Sequence, residues 1–148
     1  MVVDLPWIFD QLGGKKTVGV PLWKSPLDLH HSVTAGLPAG CAVYFKRHAR
    51  FTNLQVCMWL GVSEKTVIRW DSEPRKPLSI GVSDRLVRTA KIVGLAEEVL
   101  EDKENARAWL SHPQPALANA IPEDLLSTDI GAKQVEEILL QMEHGFVA

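Results

Sequence analysis

Residues 52–70 read TNLQVCMWLGVSEKTVIRW, and this stretch predicts two short helices joined by a tight turn. Thr52 and Gln55 have the spacing of a capping box, which starts the first helix. The apolar residues that follow recur at helical spacing on one face. Gly61 ends this helix, because a residue without a Cβ atom adopts the left-handed backbone of a tight bend at no steric cost. The stretch therefore has the outline of a helix-turn-helix.

The second helix of the pair presents one face to the protein and one to solvent. Its start is marked by Ser63, whose hydroxyl can accept an early backbone N–H. Val67 and Trp70 lie three residues apart and point into the domain. The residues on the opposite face are Lys65, Thr66 and Arg69. The bare pattern fits both a DNA-binding motif and an αα-hairpin that only packs.

The distribution of charge favours DNA binding. The formal net charge of −2 hides a strong asymmetry along the chain. Residues 46–91 carry ten basic and four acidic residues, a net charge of +6, whereas residues 92–148 carry three basic and eleven acidic residues, a net charge of −8. A basic segment that contains a helix-turn-helix is expected to contact a polyanionic backbone. The acidic segment repels DNA and suits a protein partner.

Eight residues of the basic segment are predicted to contact DNA. Lys65, Thr66 and Arg69 would approach base edges. Ser63 and Glu64 would lie near the backbone, where phosphates repel a carboxylate unless it accepts a hydrogen bond from a cytosine amino group. Basic residues at the end of the helix before the motif could reach phosphates or stay solvated, and these are Lys46, Arg47 and Arg50. One recognition helix makes few base contacts, so we expect a homodimer.

The rest of the chain predicts an all-α fold. No segment alternates apolar and polar residues for long enough to read as a strand, apart from a doubtful run at 17–22. Pro and Gly interrupt the first 40 residues, which predicts irregular structure with one or two short helices. A short helix at 41–48 would support the motif, and Ser83 can cap the long helix that follows it.

The second half predicts three further helical segments. A helix at 102–110 is stopped by prolines, a brief helix starts at Pro122, and the last helix covers about 129–144 and ends at Gly145. Three tryptophans at core-facing helical positions are predicted to pack rather than to stack on bases, namely Trp59, Trp70 and Trp109.

Several classes of site lack their sequence signatures. Gly13 and Gly14 precede two lysines, but a phosphate loop needs another Gly where Phe9 stands. His30 and His31 have no acid, His or Cys at metal-ligand spacing. No nucleophile motif or isolated carboxylate pair indicates catalysis, and no convergent polar set predicts an effector pocket. We therefore expect neither enzyme activity nor a bound metal or cofactor.

The composition is typical of a cytoplasmic protein. No apolar run approaches the roughly 20 residues of a membrane span, so no membrane partner is expected. The first ten residues include acids but no basic region of a signal peptide. Cys41 and Cys57 lie in apolar surroundings, which favours buried thiols in a reducing compartment over a disulfide.

The C-terminal run from Arg107 to Gly145 resembles the Xre/MbcA/ParS antitoxin family. The residues that carry the resemblance are Trp109-Leu110 before Pro113-Gln114-Pro115-Ala116-Leu117, Pro122 with Leu125-Leu126, Gly131 before Val135, and Glu143-His144-Gly145. Upstream segments look like the Xre-type members that pair with RES-domain toxins, namely Leu27-Asp28-Leu29, Gly36-Leu37-Pro38 and Arg85-Leu86-Val87-Arg88. The similarity covers most of the chain and is weakest before about residue 25.

This resemblance implies a two-part type II antitoxin. Residues 1–82 would form an Xre-like helix-turn-helix DNA-binding domain with an irregular N-terminal extension, which represses the antitoxin's own operon. Residues 83–148 would form the toxin-binding domain. RES-domain toxins resemble ADP-ribosyltransferases and consume NAD, so the inhibitor would cover an NAD-binding cleft. The expected partners are the RES-domain toxin, operator DNA and a second copy of the chain, with larger hetero-oligomers formed on the toxin.

The C-terminal tail is a candidate for the contact with the toxin. An apolar end that follows a Gly cap is able to leave the fold and bury a side chain such as Phe146 in a partner. A frayed terminus that packs on its own domain fits equally well. The predicted toxin-binding residues are Glu143, His144, Gly145, Phe146, Val147 and Ala148. The alternative to an antitoxin is a free-standing dimeric helix-turn-helix repressor with an unknown protein partner.

Overall fold

The computed structural model of the chain describes residues 5–145, and every regular element in this part is helical, which confirms the all-α prediction. The α-helices are α1 (Leu5–Gln11), α2 (Gly14–Val18), α3 (Pro26–Ala35), α4 (Ala39–Ala49), α5 (Asn53–Leu60), α6 (Glu64–Ser72), α7 (Ile80–Leu100), α8 (Lys103–Ser111) and α9 (Asp129–Glu143). Two short 3-10 helices, Pro115–Leu117 and Pro122–Leu125, lie between α8 and α9. None of the described helices is both long and apolar enough to cross a membrane.

The chain divides into two compact units. The N-terminal unit extends to Ala90 and the C-terminal unit begins at Lys91, so the boundary falls within α7. The N-terminal unit contains the two helices joined by Gly61, and the C-terminal unit contains most of the acidic segment.

The prediction of irregular structure with one or two short helices in the first 40 residues was wrong in the number of helices and in how much of the segment they cover. Three helices, α1 to α3, precede α4, and the glycines and prolines lie at their ends rather than in an unstructured extension. The tertiary reason is aromatic packing. Phe9 and Trp23 meet edge to face with ring centroids 5.0 Å apart, and Trp23 Nε1 donates a hydrogen bond to Ser32 Oγ at 2.8 Å. This packing buries Trp23 and connects α1, through the segment that precedes α3, to Ser32 in the second half of α3.

The doubtful strand at 17–22 is not formed. Its first two residues complete α2, and Gly19 ends that helix with a φ of 84°. A left-handed residue at this point turns the chain away from the helix axis, and glycine adopts it without steric cost.

Helices α4, α5 and α6 each contribute a large aromatic side chain to the core of the N-terminal unit. Phe51 is 4.5 Å from Trp59, centroid to centroid, in an edge-to-face pair, and Phe45 lies 5.7 Å from Phe51 on the other side. Trp59 and Trp70 are both buried, as their helical positions predicted. Trp109 in the C-terminal unit is only half-buried. Aromatic pairs of this geometry add to the free energy gained by burying apolar area.

The prediction that Ser83 caps the long helix was wrong. Helix α7 begins at Ile80, and the first-turn bond is supplied by Ser79, whose Oγ accepts the Val82 N–H at 3.1 Å. Ser83 lies inside α7, fully buried, and its Oγ accepts the Leu37 N–H at 3.0 Å. The hydroxyl satisfies a buried amide 46 positions away, which no local pattern encodes.

The C-terminal unit packs α8, α9 and the second 3-10 helix around a small apolar core. Its buried side chains include Leu110, Leu126, Val135 and Leu139. The Lys91 ammonium lies 2.6 Å from the Glu136 carboxylate, with both side chains mostly covered. Asp102 caps α8 and Thr128 caps α9, each by accepting a backbone N–H of the first turn.

Gly131 allows a close backbone approach in the C-terminal unit. A Cβ atom at this position of α9 would collide with the Leu125 carbonyl oxygen and would also crowd Thr128 Oγ1. Glycine is therefore required by close packing here and not by a left-handed conformation.

Candidate functional site

The turn between α5 and α6 has the local chemistry that the sequence predicts. Gln55 N–H donates to Thr52 Oγ1 at 3.2 Å and Thr52 N–H donates to Gln55 Oε1 at 2.8 Å, which completes the capping box. Gly61 has a φ of 67° and ends α5. Ser63 Oγ accepts the Thr66 N–H at 3.1 Å and starts α6. Both helix boundaries were therefore predicted correctly.

Arg85 of α7 supports this turn and was missed as a structural residue. Its Nη1 donates to the Leu60 carbonyl oxygen at 3.0 Å, so a cation satisfies the C-terminal end of α5. The guanidinium also lies beside Gly61, where an added Cβ atom would be 3.6 Å from Nη1. The sequence could not show this contact, because the acceptor is a backbone oxygen 25 positions away.

The outer face of α6 carries two unpaired cations. Glu64, Lys65 and Arg69 are exposed, and neither Lys65 Nζ nor the Arg69 guanidinium has a hydrogen-bond or ion-pair partner within residues 5–145. Thr66 is only half-covered, and its Oγ1 lies 3.0 Å from Ser63 Oγ. The cations that could meet an anionic partner are thus held on a regular helix and are not engaged elsewhere in the described part.

Ile68 is an exposed apolar residue on the same face and was not among the predicted contacts. Ile68 lies between Lys65 and Arg69 in the sequence of α6 and is 54% exposed. Its position one residue before Arg69 was the available signal, since Val67 and Trp70 already account for the buried side of the helix. An aliphatic side chain on such a face can contact a thymine methyl group in the major groove.

The three basic residues at the end of α4 differ from one another. Lys46 Nζ donates to Asn53 Oδ1 at 2.8 Å. Arg47 Nη2 lies 3.1 Å from Asp71 Oδ1 in an exposed ion pair, a geometry that contributes little to stability and can rearrange. Arg50 ends α4 in a left-handed conformation with a φ of 60°.

Internal pairing reduces the positive charge that the basic segment can offer to a partner. The Glu73 carboxylate lies 3.5 Å from Lys76, the Asp84 carboxylate lies 3.6 Å from Arg88, and Arg85 is committed to the end of α5. The segment's formal charge of +6 therefore overstates the number of cations available to bind an anionic partner.

The two cysteines are free thiols with different surroundings. Burial raises the pKa of Cys41 to about 12, so this thiol stays protonated at neutral pH. The pKa of Cys57 is also raised, first by burial and second by the negative charge of Glu64. The carboxylate at the start of α6 therefore acts across the turn on the last part of α5.

An open groove of about 890 Å³ lies on the N-terminal unit beside α2 and α4. Three basic side chains line it together with the stacked pair Tyr44 and His48, whose ring centroids are 5.2 Å apart. These basic residues are Lys16, Arg47 and Arg75. No local pattern predicts this convergence, because the lysine and the two arginines come from three separate segments of the chain.

The end of α9 holds the described part of the predicted toxin-binding tail. Glu143 is the last residue of α9, His144 is its C-cap, and Gly145 has a φ of 76° with its N–H bonded to the Met142 carbonyl oxygen at 3.1 Å. All three predicted residues are exposed. The predicted contacts at Phe146, Val147 and Ala148 lie outside the described residues.

A loop before α9, the Gln114–Ala120 loop, includes the 3-10 helix Pro115–Leu117 and is closed by its own backbone. The Gln114 N–H donates to the Ala120 carbonyl oxygen at 3.0 Å. The Gln114 carbonyl oxygen accepts from the Leu117 N–H and the Asn119 N–H, each at 2.9 Å. Gln114 Nε2 also donates to the Trp109 carbonyl oxygen at 2.9 Å, which ties the loop to α8.

The same loop contains two successive residues in a conformation that favours glycine. Ala118 has a φ of 55° and Asn119 has a φ of 65°. For residues with a Cβ atom, the left-handed region costs about 1–2 kcal/mol, and asparagine tolerates it better than alanine does. The surrounding hydrogen bonds hold this backbone in place. No sequence pattern predicted this backbone conformation.

Comparison with known proteins places the chain among antitoxins. Residues 95–145 match the family model described as the Antitoxin Xre/MbcA/ParS C-terminal toxin-binding domain. Antitoxin Xre from Pseudomonas putida is 30% identical over 127 residues, which cover 86% of this chain and 78% of that protein. Antitoxin Xre from Photorhabdus laumondii is 26% identical over 134 residues, or 90% and 89% of the two chains.

A third relative is an antitoxin with a different name. The Prs ADP-ribosylating antitoxin from a Sphingobium species is 35% identical over 82 residues, covering 49% of this chain and 52% of that protein. The helical fold and these matches together define the class as a toxin-binding antitoxin. The chain belongs to the Xre/MbcA/ParS antitoxin family. Its membership implies a cognate toxin as partner.

Proposed function

We propose that this antitoxin neutralises a RES-domain, NAD-consuming toxin by covering its NAD-binding cleft, and that it represses its own operon through α5 and α6. The observation that carries the proposal is that the two units have different functional features. The C-terminal unit contains the match to a toxin-binding domain, and the N-terminal unit presents unpaired cations on an exposed helix face. The protein acts in the cytoplasm as a homodimer that assembles further on its toxin.

The DNA-binding part of the proposal rests on α6. Its N-terminal end combines backbone N–H groups with the exposed Lys65, which suits a helix inserted end-first into the major groove. Arg69, one turn further along, can reach a guanine edge, and Ile68 can contact a thymine methyl group. Lys46, Arg47 and Arg50 at the end of α4 serve the flanking phosphates, and Ser63, Glu64 and Thr66 set the start of the recognition helix. A dimer doubles this small set of contacts.

A gel-shift titration with the promoter of the antitoxin's own operon tests this assignment. Lys65→Ala combined with Arg69→Ala removes two cations and is expected to weaken operator binding at least about tenfold, since each lost base contact costs about 1–3 kcal/mol. The matched control is Lys103→Ala with Lys133→Ala, which removes two cations from the C-terminal unit. Equal operator affinity for the Lys65/Arg69 variant and the wild type would refute the role of α6.

The toxin-binding part of the proposal includes the tail. Glu143 places a negative charge at the C-terminal end of α9, where backbone carbonyl groups already concentrate negative potential and where the last turn has no basic residue. A positively charged group on a partner would therefore stabilise this end of α9, which no basic side chain of its own last turn does. Gly145 adopts the left-handed backbone that is common just after the end of a helix.

A deletion of residues 143–148 tests the tail. We expect the truncated antitoxin to keep its helical fold and operator binding but to lose neutralisation, measured as toxin-catalysed NAD consumption in the presence of excess antitoxin. Gln141→Ala, at an exposed position of α9 outside the tail, serves as the control for the loss of one exposed side chain. Full neutralisation by the truncated protein would remove the tail from the interface.

Two observations distinguish an antitoxin from a free-standing repressor: the identity of the neighbouring gene, and whether this chain forms a complex with the product of that gene. The proposal expects a RES-domain reading frame directly beside this gene and a stable complex between the two purified products. A chain that binds its operator but forms no complex with the adjacent gene product would instead be the repressor.

A further inference from the structure

The Gln114–Ala120 loop lies in a part of the chain without formal charge. Residues 108–122 include no Asp, Glu, Lys or Arg, although residues 92–148 carry three basic and eleven acidic residues. Pro115, Ala116, Ala118 and Asn119 are exposed. An exposed stretch without formal charge inside an otherwise acidic segment is typical of a protein interface, whose buried core is depleted of charged residues.

The loop is also fixed in shape by contacts of its own. Backbone hydrogen bonds close it between Gln114 and Ala120, and the Gln114 side chain anchors it to α8. A surface that is ordered before binding loses little conformational entropy when a partner docks. The left-handed backbone at Ala118 and Asn119 costs stability, and such strain is found where a fixed shape serves binding.

We propose that the Gln114–Ala120 loop forms the charge-free centre of the surface through which the C-terminal unit docks on its toxin, separate from the contact made by the tail. The occupant is the toxin, because the toxin-binding family match at residues 95–145 includes the whole loop. This inference rests on the proposed function.

Substitutions of both signs at Ala116 test the inference. Ala116→Arg and Ala116→Glu each place a charge in the centre of the loop, where a docked partner would desolvate it. Ala116 is exposed and its φ lies outside the left-handed region, so both variants should fold. The matched controls are Gln134→Arg and Gln134→Glu, which place the same charges at an exposed position of α9. Binding is measured by calorimetry against the purified toxin encoded by the neighbouring gene, with the melting temperature of each variant as a check on folding.

The expected result is at least a tenfold loss of affinity for both Ala116 variants and less than a threefold change for both Gln134 variants. Opposite effects of Arg and Glu would show that only long-range charge matters and would overturn the inference, as would unchanged affinity for both. If an Ala116 variant melts early, the wild type is used instead, and the NMR amide signals of Gln114 and of residues 116–120 must shift on toxin binding. A wild-type chain that does not bind the toxin at all would instead refute the proposed function.

Discussion

The outer face of α6 and the Gln114–Ala120 loop offer two different ways to present a surface. Helix α6 uses side chains on a regular backbone, with Lys65 and Arg69 exposed and their positions set by helical periodicity. The loop uses one 3-10 turn followed by two left-handed residues, and its exposed groups are mostly small and uncharged. The first surface was found from sequence and the second was not. Periodicity and charge reveal a surface made by a helix, whereas a loop shape depends on hydrogen bonds that have no repeating pattern.

The largest expected effect comes from a substitution that destabilises only the C-terminal unit, which contains the loop, and leaves the unit that contains α6 intact. Gly131→Ala drives a Cβ atom into the Leu125 carbonyl oxygen, and we expect it to destabilise the C-terminal unit by about 3 kcal/mol. Toxin binding should fall while operator binding persists. Calorimetry for the toxin and gel shift for the operator measure the two functions on the same full-length variant.

Gly81→Ala is the matched control for this substitution. Gly81 is also helical, but its added Cβ atom would meet only the Arg85 guanidinium at an ordinary 3.7 Å, so the variant should be neutral or slightly stabilising. Equal behaviour of the two variants in thermal unfolding would contradict the close approach at Gly131.

Ser83→Ala destabilises the N-terminal unit, whereas Gly131→Ala destabilises the C-terminal unit. It leaves the buried Leu37 N–H without an acceptor, which should cost about 1–3 kcal/mol in the free energy of unfolding. Urea unfolding followed by tryptophan fluorescence gives the value. Ser72→Ala removes an exposed hydroxyl from the end of α6 and should stay within about 0.5 kcal/mol of the wild type. If Ser83→Ala lowered the free energy of unfolding no more than Ser72→Ala does, the Leu37 N–H would have found another acceptor.

Ala118→Gly sharpens the comparison by removing strain from the loop. Glycine adopts a φ of 55° without a steric penalty, so this variant should be more stable than the wild type by about 0.5–1 kcal/mol. The same substitution at the exposed, helical Ala108 should have the opposite sign, since glycine in a helix interior costs about 0.5–1 kcal/mol. Urea unfolding that gives the same sign for both variants would contradict the left-handed assignment of Ala118.

The smallest effect concerns the start of α6. Because the pKa of Cys57 is raised, less of this thiol is ionised at pH 8 than in an ordinary cysteine, and its reaction with a disulfide reagent should be slow. Glu64→Gln removes the negative charge, lowers the Cys57 pKa and should speed the reaction by a few-fold. Cys41 should stay unreactive in both proteins. A faster reaction in the wild type than in the variant would reverse the sign of the Glu64 effect.

Much of the fold and part of the site could be predicted because the signals are local. The capping residues Thr52 and Ser63, the turn at Gly61 and the buried Trp59 and Trp70 all depend on neighbours within a few positions. Helices α1 and α2 were not predicted, since short helices in a segment rich in Gly and Pro depend on aromatic packing for their stability.

The sequence by itself determined the helical class, the boundaries of α5 and α6, and the split between a basic and an acidic half, because capping, periodicity and charge are written in consecutive residues. Tertiary structure alone decided which cations remain available. It assigned Arg85 to the end of α5 and Ser83 to the amide of Leu37, and it closed the Gln114–Ala120 loop on itself. The physical reason is that a backbone oxygen or amide is chemically the same at every position, so only the folded chain selects its partner.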